Sequence, residues 1–309
     1  MAKRQERNVA DFIVPLEMNG LQGRMLRLPS SKNKKKEILF VYGHHSSLER
    51  WWGVVQDLNK YGAVTMPDLP GFGGMESLYK IGEKPNIDTL ADYLAAFIKL
   101  RYKRKRVTIV GLSFGFVVVT RMLQRYPDLV GRVDTLISVV GFSHYQDFTF
   151  SRTRVMFYKL AAKTVSFRLP AIFFRNVLLH PLVLRIAYAR THNAKDKFKD
   201  VDDADFKKVM DFEVQLWHAN DVRTHMFTTS EFLKLDNCQK RIDLPLHHVT
   251  VQADRYFDNH TVEQHMRVIF GDFTEYRSRM DGHAPSVVAD MKSAAPLIPA
   301  KLRTLLNKS

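Results

Sequence analysis

Cysteine is nearly absent from this chain. Cys238 is the one cysteine among 309 residues, so no disulfide bond can form within the chain, and a reducing compartment such as the cytoplasm is expected. The first residues are charged and no apolar secretory core follows them, which predicts that no signal peptide is present. The sequence therefore favours a cytoplasmic protein.

Long apolar runs are also absent. No window reaches the ~18 uncharged apolar residues of a membrane-spanning helix. The nearest approach, 169–188, is interrupted by Pro170, Arg175, Pro181 and Arg185. The sequence contains neither the Cys/His spacing of a zinc site nor a phosphate-binding G-x-x-x-x-G-K-S/T loop. We therefore expect no metal ion, no nucleotide cofactor and no spanning helix.

Apolar runs and helical spacing alternate along the first 140 residues. Short, uninterrupted apolar runs are typical of strands that are buried on both faces of a parallel sheet. The pattern predicts a hairpin of strands at 12–14 and 25–28 around a turn at 19–23. Further strands are predicted at 38–42, 63–66, 107–110 and 133–140. Helices are predicted at 51–61, 87–100 and 114–125, and Asp88 is the expected N-cap of the helix at 87–100. This alternation predicts a doubly wound α/β sheet.

The alternation stops after Gly141. Residues 143–243 have helical spacing and many aromatic side chains but no clear strand. A predicted strand at 246–252 and helices at about 260–270 and 284–306 complete the chain. We predict that 1–142 and 244–309 form an α/β core, and that 143–243 is an inserted helical cap over the carboxyl edge of its sheet.

The segment 107–115 has the form strand, G-x-S-x-G, helix, with Ser113 at its centre. A sharp turn of this kind holds a nucleophilic serine at the top of a sheet, and glycine is needed at Gly111 and Gly115 because a Cβ would clash. The helix that follows favours developing negative charge at its amino terminus, so the Phe114 N–H is expected to point at an oxyanion. The alternative is a glycine-rich turn without chemistry.

Two further motifs carry a resemblance to a known family. The loop 42–45 (Y-G-H-H) resembles the His-Gly oxyanion loop of the α/β-hydrolases, and 67–73 (P-D-L-P-G-F-G) resembles their D-x-P-G-x-G turn. Together with the serine turn, they make nearly the whole chain resemble that family. The resemblance implies the α/β-hydrolase fold, a backbone N–H of His44 as second oxyanion donor, and a structural role for Asp68. Tyr42 departs from the pattern, since histidine is usual there.

The family order of catalytic residues is serine, acid, histidine. His283 lies in M-D-G-H-A-P (280–285), which resembles the family's G-H-x-P segment and makes it the expected base. The alternative is a loop histidine that caps the last helix. Asp254 is the favoured acid. Asp258 is its alternative and also suits the start of the next helix, while Asp236 and Asp243 are further candidates.

These residues predict a serine hydrolase that cleaves a carboxylic ester of a small acyl substrate through an acyl-enzyme, without a cofactor. A thioester, amide or carbon–carbon bond would need the same triad, and a catalytically silent binding protein of the same fold is a further alternative. Family members that open epoxides or remove halides use an aspartate nucleophile, so Ser113 argues against both reactions. The oligomeric state is left open.

Positive charge is in excess, with 47 Lys and Arg against 32 Asp and Glu, a net charge of +15. Residues 145–200 contain eleven basic and three acidic residues, interleaved with Phe and Tyr. Basic amphipathic helices of this kind can lie on an anionic membrane; alternatively, the aromatics pack on the sheet and the charges are solvated.

The basic runs 32–36 and 101–106 are predicted at the opposite edge of the sheet, as solvated loops or as a patch for a membrane or nucleic acid. A nucleic-acid partner is not favoured.

Overall fold

The computed structural model describes residues 8–30, 34–190, 203–280, 282–283 and 291–308. Within these ranges eight strands form one sheet in the order β1-β2-β4-β3-β5-β6-β7-β8. The strands are β1 (Ile13–Met18), β2 (Leu21–Leu28), β3 (Glu37–Val41), β4 (Ala63–Pro67), β5 (Val107–Leu112), β6 (Val133–Val139), β7 (Leu246–Thr250) and β8 (Phe273–Arg277). β2 pairs antiparallel with β1 and β4, and every pairing from β4 to β8 is parallel.

Helices of the described chain connect the strands and cover the sheet. They are α1 (Trp52–Leu58), α2 (Ile87–Tyr102), α3 (Phe114–Arg125), α4 (Arg152–Val165), α5 (Arg168–Phe173), α6 (Pro181–Arg190), α7 (Asp203–Ala219), α8 (Val222–Phe232), α9 (Asn259–Ile269), α10 (Met291–Ala294) and α11 (Ala300–Lys308). α2 packs beside α3, and α1 packs beside α10. Every residue of β3 and β5 is buried, which explains why both strands are apolar runs without alternation.

The β1–β2 hairpin closes through two residues, Asn19 and Gly20, with φ values of 55° and 76°. Asparagine and glycine accept positive φ more readily than other residues, and a two-residue turn of this kind matches the twist of the strands it joins. The predicted turn at 19–23 was therefore too long, because β2 resumes at Leu21.

The chain between β6 and β7 contains α4 to α8, and within its described residues only isolated bridges occur, such as His144 with Asp236 and Phe148 with Phe257. α4 packs against α8. A small apolar cluster holds these helices together, formed by Ala171, Leu179, Leu184, Val214 and Val222. The division of the chain into a core and a separate cap at 143–243 stays a prediction.

Three local predictions differ from the structure. Asn86, not Asp88, caps α2, since its side chain accepts the Thr89 N–H. β8 was not predicted, because it is an edge strand whose residues are mostly exposed and polar. The predicted helix at 284–306 falls partly on 284–290, outside the described residues, and the remainder is two short helices, α10 and α11. No helix of the described residues is long and apolar enough to cross a bilayer.

Candidate active site

Ser113 lies at a strained bend between β5 and α3. Its backbone has φ 50° and ψ −120°, a conformation that costs a residue with a side chain about 1–3 kcal/mol. Two hydrogen bonds hold the bend: the Ser113 N–H donates to the Val139 carbonyl at 2.9 Å, and the Phe116 N–H donates to the Ser113 carbonyl at 3.0 Å. The bend directs the serine side chain away from the helix axis at the carboxyl end of the sheet.

The two glycines of the motif are required by close backbone approach. A Cβ on Gly111 would lie 2.8 Å from the Phe116 Cα, and a Cβ on Gly115 would lie 2.3 Å from the Val41 carbonyl oxygen. Real Cβ atoms do not approach other heavy atoms so closely, so any side chain there would displace the backbone. The motif therefore allows α3 to start directly against β3.

His283 joins Ser113 to Asp254. The His283 Nε2 lies 3.0 Å from the Ser113 Oγ, and its Nδ1 lies 2.7 Å from the Asp254 Oδ2. The Asp254 side chain is 2% exposed and that of His283 is 15% exposed. Because an ionised carboxylate only accepts, Nδ1 carries the proton and Nε2 is left to accept from the serine hydroxyl.

The loop that carries Asp254 fixes both the carboxylate and the imidazole. The Asp254 Oδ1 accepts the N–H groups of Tyr256 and Phe257 at 2.8 and 3.2 Å. The rings of the same two residues contact the His283 ring edge-on, with centroids 5.1 and 5.2 Å away. These contacts restrict rotation of the imidazole and shield its bond to Asp254 from water.

The other predicted acids lie in different settings. The Asp258 Oδ1 accepts the N–H and the hydroxyl of Thr261, so Asp258 caps α9, and these hydrogen bonds lower its pKa. Asp236 accepts from the Cys238 N–H and the Gln239 amide. Asp243 is exposed. The structure therefore brings Asp254, and none of these three, to His283.

The two predicted oxyanion donors flank Ser113. Phe114 is the first residue of α3, so its N–H belongs to the helix-terminal amides that have no acceptor within the helix. His44 follows β3 next to Gly43, and a Cβ on Gly43 would lie 3.2 Å from the Ser113 Cβ. The loop after β3 and the amino terminus of α3 thus converge on the serine.

The His44 ring is held by the insertion. Its Nε2 lies 2.8 Å from the Thr228 Oγ1 on α8, and its ring lies 4.1 Å from that of His225. Burial, together with the neighbouring His225 and His45, holds the pKa of His44 well below its usual 6.5. The neutral ring therefore braces the loop that carries the predicted oxyanion donor.

Asp68 makes its side-chain hydrogen bonds with Tyr42 and Arg24, not with Ser113, His283 or Asp254. Its carboxylate accepts from the Tyr42 hydroxyl at 2.5 Å and from the Arg24 Nε at 2.9 Å. Burial raises the pKa of Asp68 to about 7 against the opposing charge of Arg24. A Cβ on Gly73 would lie 2.1 Å from the Asp68 Oδ1, so the carboxylate packs directly under this turn. Tyr42, the departure from the family pattern, thus contributes the hydroxyl that reaches Asp68.

Sequence reasoning did not identify Asp147, which ties the start of the insertion to the loop carrying Asp254. Its buried carboxylate accepts the N–H groups of Ser143 and His144 and lies 2.5 Å from the His265 Nδ1 on α9. Its carbonyl accepts the Asp258 N–H at 2.9 Å. No sequence pattern pairs Asp147 with His265 or Asp258, because both lie more than 100 positions away.

A second missed group is a ring cluster between the oxyanion loop and the insertion. The centroid of the His45 ring lies 5.1 Å from that of His225 and 4.1 Å from that of Trp217. Burial lowers the pKa of His225 to about 4. Among the described residues, no group of three or more His, Cys, Asp or Glu side chains is arranged to hold a metal ion.

The comparisons with known proteins agree with this architecture. Residues 37–182 match the model of the family described as alpha/beta hydrolase fold. Human Protein ABHD8 is 31% identical over 110 residues, which are 35% of this chain and 25% of that protein, so the match spans about a quarter of the curated relative.

Solved structures of hydrolases superpose on nearly the whole chain. An epoxide hydrolase from Bacillus megaterium has a TM-score of 0.66 at 13% identity, over 96% of this chain and 100% of that one. A thermophilic esterase from Thermogutta terrifontis has a TM-score of 0.59 at 15% identity, over 95% of each chain. Likeness at such low identity establishes the fold, as the sequence predicted. The family model thus matches residues 37–182, just under half of this chain, and nearly the whole chain has the α/β-hydrolase fold.

Proposed function

We propose that this protein is a serine hydrolase that cleaves carboxylic esters through an acyl-enzyme intermediate, with Ser113 as nucleophile, His283 as base and Asp254 as acid. The proposal is carried by one observation, the hydrogen-bonded series from Asp254 through His283 to Ser113 at the strained bend. A serine hydroxyl is a weak nucleophile at neutral pH, and a base within hydrogen-bond reach is what activates it.

In the first half-reaction the Ser113 Oγ attacks the ester carbonyl while the His283 Nε2 takes its proton. Asp254 stabilises the imidazolium that forms, since its Oδ2 already accepts from Nδ1. The backbone N–H groups of Phe114 and His44 bind the oxyanion, each contributing about 3–4 kcal/mol. The C–O bond then breaks, and His283 returns the proton to the departing alkoxide.

In the second half-reaction water attacks the acyl-enzyme. His283 removes a proton from the water, the oxyanion forms again at the same two N–H groups, and the C–O bond to the Ser113 Oγ breaks. The serine recovers its proton from His283, and the carboxylic acid leaves. Each step uses only the residues of the site and water.

An apolar wall beside the triad supports an acyl substrate. The Phe232 ring of α8 lies 6.0 Å from the rings of Phe114 and Phe142 and 5.6 Å from that of Phe148. Phe257, which contacts His283, packs 4.6 Å from Phe142. Pockets that bind small molecules are mostly apolar with a few directed polar groups, and this arrangement favours hydrocarbon next to the reacting carbonyl.

A panel of p-nitrophenyl esters with increasing acyl length, combined with a fluorophosphonate probe, tests the proposal. We expect wild type to release p-nitrophenol with a burst and to be labelled at Ser113. Ser113→Ala should do neither while keeping the wild-type circular dichroism spectrum. Turnover by Ser113→Ala at the wild-type rate would overturn the assignment. If only thioesters, amides or substrates with a cleavable C–C bond are turned over, the assignment of the three catalytic residues stands and the proposed ester substrate is wrong. The absence of labelling at Ser113 would favour a catalytically silent binding protein.

The chain has a single cysteine, Cys238, which is a free thiol. Proteins without disulfides are typical of reducing compartments. This supports the cytoplasm as the location.

A further inference from the structure

Exposed apolar side chains are concentrated on one part of the helical insertion. Twelve of the eighteen large apolar side chains that are exposed in the described chain lie between residues 156 and 186. A monomer seldom leaves so many large apolar side chains of one 31-residue segment in water unless they contact something. They are Met156, Phe157, Leu160, Phe167, Leu169, Ile172, Phe173, Val177, Leu178, Leu182, Val183 and Ile186. We call this surface of α4, α5, α6 and the short segments that join them the outer face.

The outer face follows from helix periodicity. On α4, the exposed Met156 and Phe157 precede the exposed Leu160 by four and three residues, so all three share one side of the helix, while Ala162 is buried and α4 packs against α8. Farther along the segment, buried residues such as Ala171 and Leu179 lie between the exposed ones and belong to the small apolar cluster that holds the helices together. The helices are therefore apolar on both sides, and the inner side alone is covered by the described protein.

The segment that carries the outer face is also strongly basic. Residues 151–190 contain eight Lys and Arg and no Asp or Glu. Six of the eight lie where the structure describes their side chains, and none of these six pairs with a carboxylate of the described residues. They are Arg152, Arg154, Lys159, Lys163, Arg168 and Arg175.

The positive charge and the exposed apolar side chains together indicate which kind of partner can bind the outer face. A second copy of this chain would bring the same positive charge to the contact, and like charges oppose association. A nucleic acid would pair with the basic side chains and leave the twelve apolar ones in water. An anionic bilayer satisfies both, because its headgroups attract Lys and Arg while its acyl boundary takes up Phe, Leu and Ile.

We propose that the outer face docks in the plane of an anionic lipid membrane. This goes beyond ester hydrolysis and holds whether or not Ser113 is catalytic. Its consequence for the site is geometric: ring contacts run from Tyr158 on α4 through Phe150 and Tyr256 to His283, at centroid distances of 5.7, 6.2 and 5.1 Å. The proposed active site would thus lie three ring contacts from the docked helix α4.

Vesicle flotation with the full chain tests the proposal. Vesicles of phosphatidylcholine with about 30 mol% phosphatidylglycerol should carry the protein upward, whereas phosphatidylcholine alone should bind at least about tenfold more weakly. The double variant Phe157→Ser/Leu169→Ser removes two side chains that are 66% and 77% exposed, so the fold loses no core. It should lower the partition coefficient at least about tenfold.

A matched charge control lies at the other edge of the sheet. Lys163→Glu/Arg168→Glu reverses two charges on the outer face and should weaken binding at least about tenfold. Lys35→Glu/Arg104→Glu reverses two exposed charges that precede β3 and β5 and should retain at least about half of the binding. Ser113→Ala should bind vesicles as wild type does, which separates this proposal from the proposed hydrolase activity.

Several results would overturn the proposal. The proposal is wrong if wild type does not float with anionic vesicles, or if it binds neutral vesicles as strongly as anionic ones. It is also wrong if the two charge variants, Lys163→Glu/Arg168→Glu and Lys35→Glu/Arg104→Glu, lose the same share of vesicle binding. A dimer in sedimentation equilibrium that Phe157→Ser/Leu169→Ser dissociates, without vesicle binding, would assign the outer face to a second copy. Salt-sensitive retention on duplex DNA that the same variant leaves unchanged, again without vesicle binding, would assign it to nucleic acid.

Discussion

Replacing Asp254 by asparagine changes one group of the triad and keeps its shape. The asparagine oxygen can take the place of Oδ1 and keep both backbone hydrogen bonds from Tyr256 and Phe257. Its NH2 group then faces the His283 Nδ1 across the 2.7 Å contact. Since NH2 only donates, Nδ1 must accept, and the ring proton moves to Nε2. That nitrogen can no longer accept the serine proton.

The loss of the correct tautomer sets the expected magnitude. We expect kcat to fall about 10⁴-fold, which corresponds to about 5.5 kcal/mol of transition-state stabilisation. Asp258→Asn is the matched control, because asparagine caps a helix as well as aspartate does and Asp258 caps α9. It should change kcat by less than about twofold.

The assay is p-nitrophenyl ester hydrolysis under saturating substrate, with thermal unfolding measured in parallel. Both variants should unfold within a few degrees of wild type, so that a loss of kcat reports on chemistry. The opposite pattern, in which Asp258→Asn loses activity and Asp254→Asn keeps it, would refute the assignment of the acid. Equal and small losses in both would mean that the imidazole is oriented by another group.

Two further predictions concern groups that couple the insertion to the core. Asp147→Ala leaves two buried N–H groups and the His265 ring without their acceptor, so we expect about 3 kcal/mol of destabilisation in denaturant unfolding. The exposed pair of Asp128 with Lys99 predicts less than about 0.5 kcal/mol for Asp128→Ala, and equal losses would contradict the reasoning. Burial holds the pKa of His225 at about 4, below the unfolded value, so this residue alone should lower the stability by at most about 3 kcal/mol as the pH falls from about 6.5 to 4. Because the pKa of the neighbouring His44 is also lowered, His225→Gln should reduce the slope without removing it, and an unchanged slope would show that His225 does not contribute to it.

Local physics explains what the sequence predicted well. β3, β5 and the turn at Ser113 depend on short stretches whose burial and glycine spacing are visible in the sequence, and the structure places them within a few residues of the predictions. The order serine, acid, histidine was expected from the family resemblance, and in the structure His283 contacts both Asp254 and Ser113.

Features that depend on distant contacts could not be predicted. β8 has the composition of an exposed segment, and only its pairing with β7 makes it a strand. Asp147 contacts His265, and His225 contacts His44, across segments that are far apart in the sequence and meet only in the folded chain. Asn86 was passed over for Asp88 because both are good N-cap residues and lie two positions apart.

The positive φ at Ser113 has a consequence for how this protein can be stabilised. A glycine at position 113 would adopt the same backbone angles with little strain, so Ser113→Gly is expected to raise thermal stability while removing the hydroxyl. A screen that selects variants only for heat resistance would therefore favour loss of the proposed nucleophile. Stability and activity are opposed at this one residue, and a thermostabilised version of the protein must find its gains elsewhere in the fold.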